Sequence, residues 1–141
     1  MENTIGKEFV EMTKYRNLEP SPQSQGAPLP PLQTPLPESA RLIDLPAGNA
    51  FDPGLLDFKS LVENRETLRK YTDSPLSLEE LAYLLWGTQG VKSVTEKPVS
   101  KRTVPSAGSR HAFETYLLIN NVEGLEPGLY RYLALEHKLA K

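Results

Sequence analysis

Two arginines four residues apart, Arg65 and Arg69, flank the hydroxyl of Thr67. Guanidinium forks and a hydroxyl are residue types that can hold a phosphate. Read alone, the same arginines are surface charges at a helix end. Further along, Pro105-Ser106-Ala107-Gly108 is a turn of small residues, in which Ser106 reads as the cap of a short helix from Ala107 to Ala112. His111 and His137 stand apart, without the spacing of a metal set or a triad, and read as surface residues. Trp86 lies in an apolar helical stripe and reads as core or dimer interface. Tyr130 and Tyr132, two apart on a strand pattern, share a face and pack. No catalytic acid or base and no metal set stands out.

The elements that must position these residues are signposted unevenly. Phe51-Asp52-Pro53 predicts a helix start, with Asp52 as cap, Pro53 in the first turn and Phe51 stapled to Leu56; Leu55, Phe58, Leu61 and Val62 then share a face. Ser77 and Glu80 form a capping box, Leu76 and Leu81 a staple, and Leu78, Leu81, Ala82 and Leu85 one face. This second helix should reach Trp86 or Thr88 and stop by Gly90. From Val91 to Arg102 the chain is polar, charged and interrupted by Pro98, as in a surface loop. The run Tyr116-Leu117-Leu118-Ile119 predicts a strand buried on both faces, Leu129 to Leu133 a second, and Leu135 to Leu139 a third, with Asn120, Asn121, Gly124, Pro127 and Gly128 punctuating the turn.

Ahead of these, Pro20 to Pro46 holds eight of the thirteen prolines and can run neither a helix nor a central strand. It should be an extended, polyproline-like arm that either wraps on the body through Leu29, Leu32, Leu36, Leu42, Ile43 and Leu45 or remains a linker. Ile5 to Tyr15 predicts a helical turn or two. The organisation expected is an N-terminal extension with its arm over 1–48 and a domain over 49–141.

With 141 residues and 38% apolar content, the chain suits one domain with a modest core. A net charge of −2 from 16 basic and 18 acidic residues, without long runs, gives no electrostatic footprint for nucleic acid. With no cysteine, the chain has no disulfide framework, thiolate metal site or cysteine nucleophile. The charged start, from Glu2 to Glu11, lacks a signal-peptide core, and no stretch approaches the roughly 20 apolar residues of a membrane helix. The expectation is a cytoplasmic protein.

Arg65-Glu66-Thr67-Leu68-Arg69-Lys70-Tyr71, then Leu78 to Gly90 ending in Trp86-Gly87-Thr88-Gln89-Gly90, then Arg102-Thr103-Val104-Pro105-Ser106-Ala107-Gly108, and finally Val122 to Tyr132 follow one another in order. These segments resemble the nitroreductase superfamily, in particular its SagB-type dehydrogenase branch. The resemblance implies an α+β, nitroreductase-like FMN-dependent fold with a mainly antiparallel sheet flanked by helices and an extended proline-rich N-terminal arm. It implies a homodimer with FMN at the interface. Arg65, Thr67 and Arg69 would hold the flavin phosphate and ribityl chain, with Glu66, where a second arginine is common, pointing to solvent or contributing only its backbone. Pro105, Ser106, Ala107 and Gly108 would lie against the flavin ring, where small side chains permit close approach and Ser106 or a neighbouring N–H can donate.

The activity implied is that of an oxidoreductase passing hydride through flavin N5, with NAD(P)H or substrate as donor. Nitro compounds, quinones or the azolines of a modified peptide are the substrates the resemblance suggests. Family members continue beyond the point where this chain ends, so the fold is expected to be incomplete here. The alternative is a non-catalytic remnant serving as a dimerisation or interaction module.

Overall fold

The computed structural model describes residues 4–96 and 99–141; Glu2, Lys97 and Pro98 lie outside the described residues. Contacts divide the chain into two units, Met1–Pro30 and Pro31–Lys141. In the first, Ile5–Met12 forms helix α1, followed by a 3-10 turn at Tyr15–Asn17. Glu11 at its end pairs with both Lys14 and Arg16. The arm departs from a purely extended course at a hydrogen-bonded turn, closed by Ala27 N–H on the Pro22 carbonyl at 2.9 Å.

In the second unit the arm wraps from Pro31 onward. Thr34 N–H donates to Glu114 (2.7 Å), the Gln33 amide to Glu136 (2.9 Å), and Lys141 N–H to the Arg41 carbonyl (3.0 Å). Leu32, Leu36, Ile43 and Leu45 are half-buried, whereas Leu42 stays exposed. Leu42–Asp44 forms strand β1, an edge strand, the place a segment two residues from Pro46 can take in a sheet.

The expected helix start at Phe51 is displaced. Helix α2 spans Phe58–Asn64, capped by Asp57, whose carboxylate accepts from Ser60 N–H at 2.9 Å. Asp52 instead accepts from Gly54 N–H (2.9 Å), and Gly54 at φ +78 makes a turn that no helix can continue through. Phe51 packs on Tyr83, ring centroids 5.5 Å apart, rather than on Leu56. The apolar face of α2, with Phe58, Leu61 and Val62, is exposed.

Helix α3 spans Leu78–Gln89 and shows the capping box in full: Glu80 N–H to Ser77 Oγ at 3.1 Å and Ser77 N–H to the Glu80 carboxylate at 2.8 Å. Replacing Ser77 by Ala is expected to lower stability by about 1 kcal/mol, read as a fall in the urea midpoint with unchanged slope. Trp86 is half-buried between two glycines: a Cβ on Gly48 or Gly90 would come 2.3 or 2.5 Å from Trp86 atoms, so only glycine fits on either side.

The segment read as a loop is partly a hairpin: β2 (Val91–Val94) pairs antiparallel with β3 (Ser100–Arg102). Its strands carry Lys92, Lys101 and Arg102 beside Val91, Val94 and the buried Ser100, a mixture that a two-stranded ribbon open to solvent on one side accommodates. The main sheet contains β4 (Thr115–Ile119), β5 (Gly128–Leu133) and β6 (Lys138–Ala140) in the order β1-β6-β5-β4, all antiparallel. The third strand starts later than its apolar pattern suggests, because 134–137 is a turn with His137 at φ +53.

The core lies between α3 and one sheet face, where Leu81 and Leu85 meet Ile119, Tyr130, Tyr132, Ala134 and Leu139. Tyr130 and Tyr132 do share that face and are fully buried. β4, however, is buried on one face only: Tyr116 and Leu118 are exposed, because the arm shields only part of the outer face. His137 is no surface spectator. Its Nε2 lies 2.9 Å from the Pro46 carbonyl, which can only accept, so Nδ1 accepts from the Tyr132 hydroxyl at 2.7 Å. Burial pushes that hydroxyl up to about 12, which keeps it a donor.

Candidate functional site

Ser106 stands after β3 in a loop tied to the end of α3. Thr103 Oγ1 donates to the Trp86 carbonyl (3.0 Å) and Thr103 N–H to the Gly90 carbonyl (2.9 Å). The expected helix from Ala107 to Ala112 shrinks to a 3-10 turn at Ala107–Ser109, and Ser106 Oγ makes no cap bond to it. Instead it accepts from His111 N–H at 3.0 Å. Three left-handed residues explain the difference: Gly108 at φ +61, Ser109 at +55 and His111 at +43 curl the backbone back before a helix can propagate.

This loop walls a cleft of about 480 Å³ lined by Pro105, Ser106 and Ala107 together with Gln89, Arg110 and His111. Gly108 does not line it. Behind it, half-buried Arg102 donates Nη1 to Gln89 Oε1 (3.4 Å) and Nε to Ser100 Oγ (3.3 Å). Burial lowers the Arg102 pKa while Glu114 and Tyr132 oppose the shift. Burial, and then the Arg102 charge, also hold His111 below the ordinary imidazole range, against a hydrogen bond to the Ser100 backbone. The ring is therefore neutral at pH 7.

Arg65, Thr67 and Arg69 lie in the exposed segment that follows α2, outside any helix. Arg65 lines a second cleft, of about 670 Å³, with Asp57, Ser60, Leu61, Glu66 and Leu68; Thr67 and Arg69 do not line it. The two clefts share no lining residue. Glu66 is exposed and is one of the residues lining that cleft.

Gln89, Arg102 and His111 are site residues to which the sequence reading attached no role. Gln89 and Arg102 sit inside the recognised segments, but nothing in a 13-residue separation signals that they meet. His111 reads as a surface residue in the sequence because it stands apart, without the spacing of a metal set or a triad.

Residues 62–141 match the sequence profile of the nitroreductase family. The chain belongs to the nitroreductase family. Over 86 residues it is also 34% identical to a protein of Methanocaldococcus jannaschii named "Putative nitroreductase MJ1384", covering 61% of this chain and 41% of that relative. The chain thus spans about two fifths of the length of the curated relative it matches. The matched family region contains both Arg65–Arg69 and the cleft around Ser106, and its helix and antiparallel sheet accord with the α+β class. Among the described residues no helix is long and apolar enough to cross a membrane.

Proposed function

We propose that this nitroreductase-family chain is the FMN-binding part of a flavin oxidoreductase of the SagB-type branch. The observation that carries the reading is the cleft walled by Pro105, Ser106 and Ala107, where the Ser106 oxygen is occupied as an acceptor by His111 N–H and its hydrogen is left to donate. Residues 49–141 form the domain in this reading and 1–48 its extension, whose residues 42–44 lend the sheet an edge strand.

The residues present fit a planar, carbonyl-bearing ring. Pro105 and Ala107 place no long side chain between a ring face and the backbone, and Gly108 continues that small surface. Ser106 O–H supplies a donor, and the neutral His111 ring an acceptor. Arg65, Thr67 and Arg69, with two cationic forks and a hydroxyl, would hold the phosphate tail of a flavin shared between two copies, since their segment and the Ser106 cleft are separate in one chain. Bound FMN would supply the redox step, accepting hydride at N5 from NAD(P)H or substrate and passing electrons to a nitro, quinone or azoline group. The chain's own part is to bind, orient and exclude water. In this reading the protein is a cytoplasmic homodimer acting on a small molecule or a modified peptide.

Visible absorption of the full chain mixed with FMN tests the reading. Wild type is expected to co-elute with a perturbed flavin band near about 450 nm. Arg65→Ala with Arg69→Ala should weaken retention by about tenfold or more, the scale of one or two lost charge-assisted hydrogen bonds. A folded wild type that retains no FMN would overturn it.

The exposed apolar side chains of α2 (Phe58, Leu61, Val62) and of β4 (Tyr116, Leu118) favour a second reading, a dimerisation or interaction module without catalysis. A stable dimer by light scattering, combined with no flavin retention, is the result that would select it.

A further inference from the structure

One residue of the arm has both of its main-chain groups taken by a single ion pair. Thr34 N–H donates to Glu114 Oε1 at 2.7 Å and its carbonyl accepts from Arg131 Nη2, while Glu114 and Arg131 face each other at 3.8 Å. The residue before it is held by its side chain. The Gln33 amide donates to the Glu136 carboxylate (2.9 Å) and accepts from Leu135 N–H (3.5 Å), so both of its polar atoms are read. Pro35 follows and brings no N–H that would need a partner. Leu36 and Pro37 then line a groove of about 280 Å³ with Tyr116, Leu129 and Arg131. The register pairs Tyr116 with Arg131, which places both on the sheet face turned away from Tyr130 and Tyr132.

What the body presents here is a set of hydrogen-bonding groups that an extended main chain completes. Arg131 is 8% exposed, and its Nε already lacks a hydrogen-bond partner. Without a chain above it the guanidinium would lose the Thr34 carbonyl as well, and a buried donor left open is costly. Clamping one N–H and one C=O does not depend on which residue carries them, so selectivity falls to the glutamine before and the proline after. A proline-bearing segment is extended before it binds, which lowers the ordering cost. Downstream, β1 and the contact of the Pro46 carbonyl with His137 hold the chain independently, so residues 31–37 can leave without the rest. We propose that this groove is a docking site for an extended peptide segment of another protein, with glutamine and proline flanking the clamped residue, and that arm residues 33–36 fill it in cis as an autoinhibitory contact. The seated arm shows the chemistry that fits. The site lies on the outer face of the sheet and is independent of the flavin reading.

The test uses the full chain and a dye-labelled peptide of residues 31–38, with binding read by fluorescence anisotropy. In wild type the tethered arm competes at an effective concentration on the order of millimolar, so the peptide should bind weakly. Gln33→Ala with Thr34→Pro strips the arm of its side-chain contacts and its N–H, and this arm variant should bind the peptide at least about tenfold tighter than wild type. To the arm variant, a peptide with its glutamine replaced by alanine should bind about fivefold weaker. Adding Glu136→Ala to the protein should bring the two peptides within about twofold, because the contact that tells them apart is gone. Where the double variant does not fold, Gln33→Ala alone, which leaves the Thr34 clamp in place, carries the same comparison. Equal binding of the peptide by wild type and arm variant, no binding by a folded arm variant, or a preference for glutamine that survives Glu136→Ala would overturn the proposal. So would a wild-type dimer that light scattering finds reduced to a monomer in the arm variant, which would make a second copy's arm the occupant.

Discussion

Leu139→Ala is expected to lower the stability of the chain by about 3 kcal/mol, within the ~2–5 kcal/mol range of large-to-small changes at fully buried positions. Leu139 is 0% exposed, sits on β6 opposite both Ile43 of β1 and Tyr132 of β5, and contributes to the core beneath α3. Three elements meet at this side chain, so the void left by the missing carbons has few ways to collapse. In a chain this small, with much of its N-terminal half exposed, a loss of that size is a large part of the total stability. Urea unfolding followed by circular dichroism checks it: the midpoint should fall with the slope unchanged. Leu118→Ala, on the outer face of β4 and 72% exposed, serves as the contrast and should shift the midpoint little in the isolated chain.

Glu114→Gln is expected to cost about 2–3 kcal/mol at pH 7. Arg131 of β5 is 8% exposed, and its Nε, 3.8 Å from Glu114 Oε2, has no hydrogen-bond partner, while its Nη2 donates to the Thr34 carbonyl. Removing the carboxylate leaves a buried cation without its counter-charge. Breaking a fully buried pair costs roughly 3–5 kcal/mol, and Glu114 keeps some access to water, which places the effect below that range. The same carboxylate accepts Thr34 N–H, so the variant also loosens the arm.

A pH dependence follows from the same group. Burial disfavours the charge on Glu114, but the Thr34 hydrogen bonds, Arg131 and Arg102 together outweigh it and lower its pKa. A carboxyl whose pKa is lower in the folded state contributes stability that is fully present above its unfolded value of about 4.3 and is lost as pH falls through the folded value. Wild type should therefore lose stability on acidification below about pH 4 more steeply than Glu114→Gln, and the two unfolding curves should converge at low pH. Curves that stay parallel would show that Glu114 is not the group responsible.

How much could be read in advance depended on how local each interaction is. α3 was legible because Ser77, Glu80 and Gly90 act within one turn of the helix ends. Asp52-Pro53 carries equally good local signals, yet Gly54 at positive φ defeats them and Asp57 takes the cap. The Val91–Arg102 hairpin was hidden because its exposed ribbon carries charged residues on strands, and charge reads as loop. β4 was read as buried twice over because its run of Tyr116, Leu117, Leu118 and Ile119 is uniformly apolar, whereas burial depends on what covers each face.

From the order and types of its residues alone, the chain's membership of the nitroreductase family, the α3 helix, the antiparallel strands after Thr115 and the small-residue turn at Pro105–Gly108 could be determined. Those features rest on hydrogen bonds and side-chain periodicities a few residues long. Only the tertiary structure decided that Arg102 meets Gln89, that His111 closes on Ser106 beside a cleft, that His137 joins Tyr132 to Pro46, and that the arm anchors on Glu114 and Arg131. Several of these contacts span tens of residues and exist because the loop and arm can bend back on a formed sheet. Their partners are common polar types, and spacing along the chain does not say which of them will be brought together.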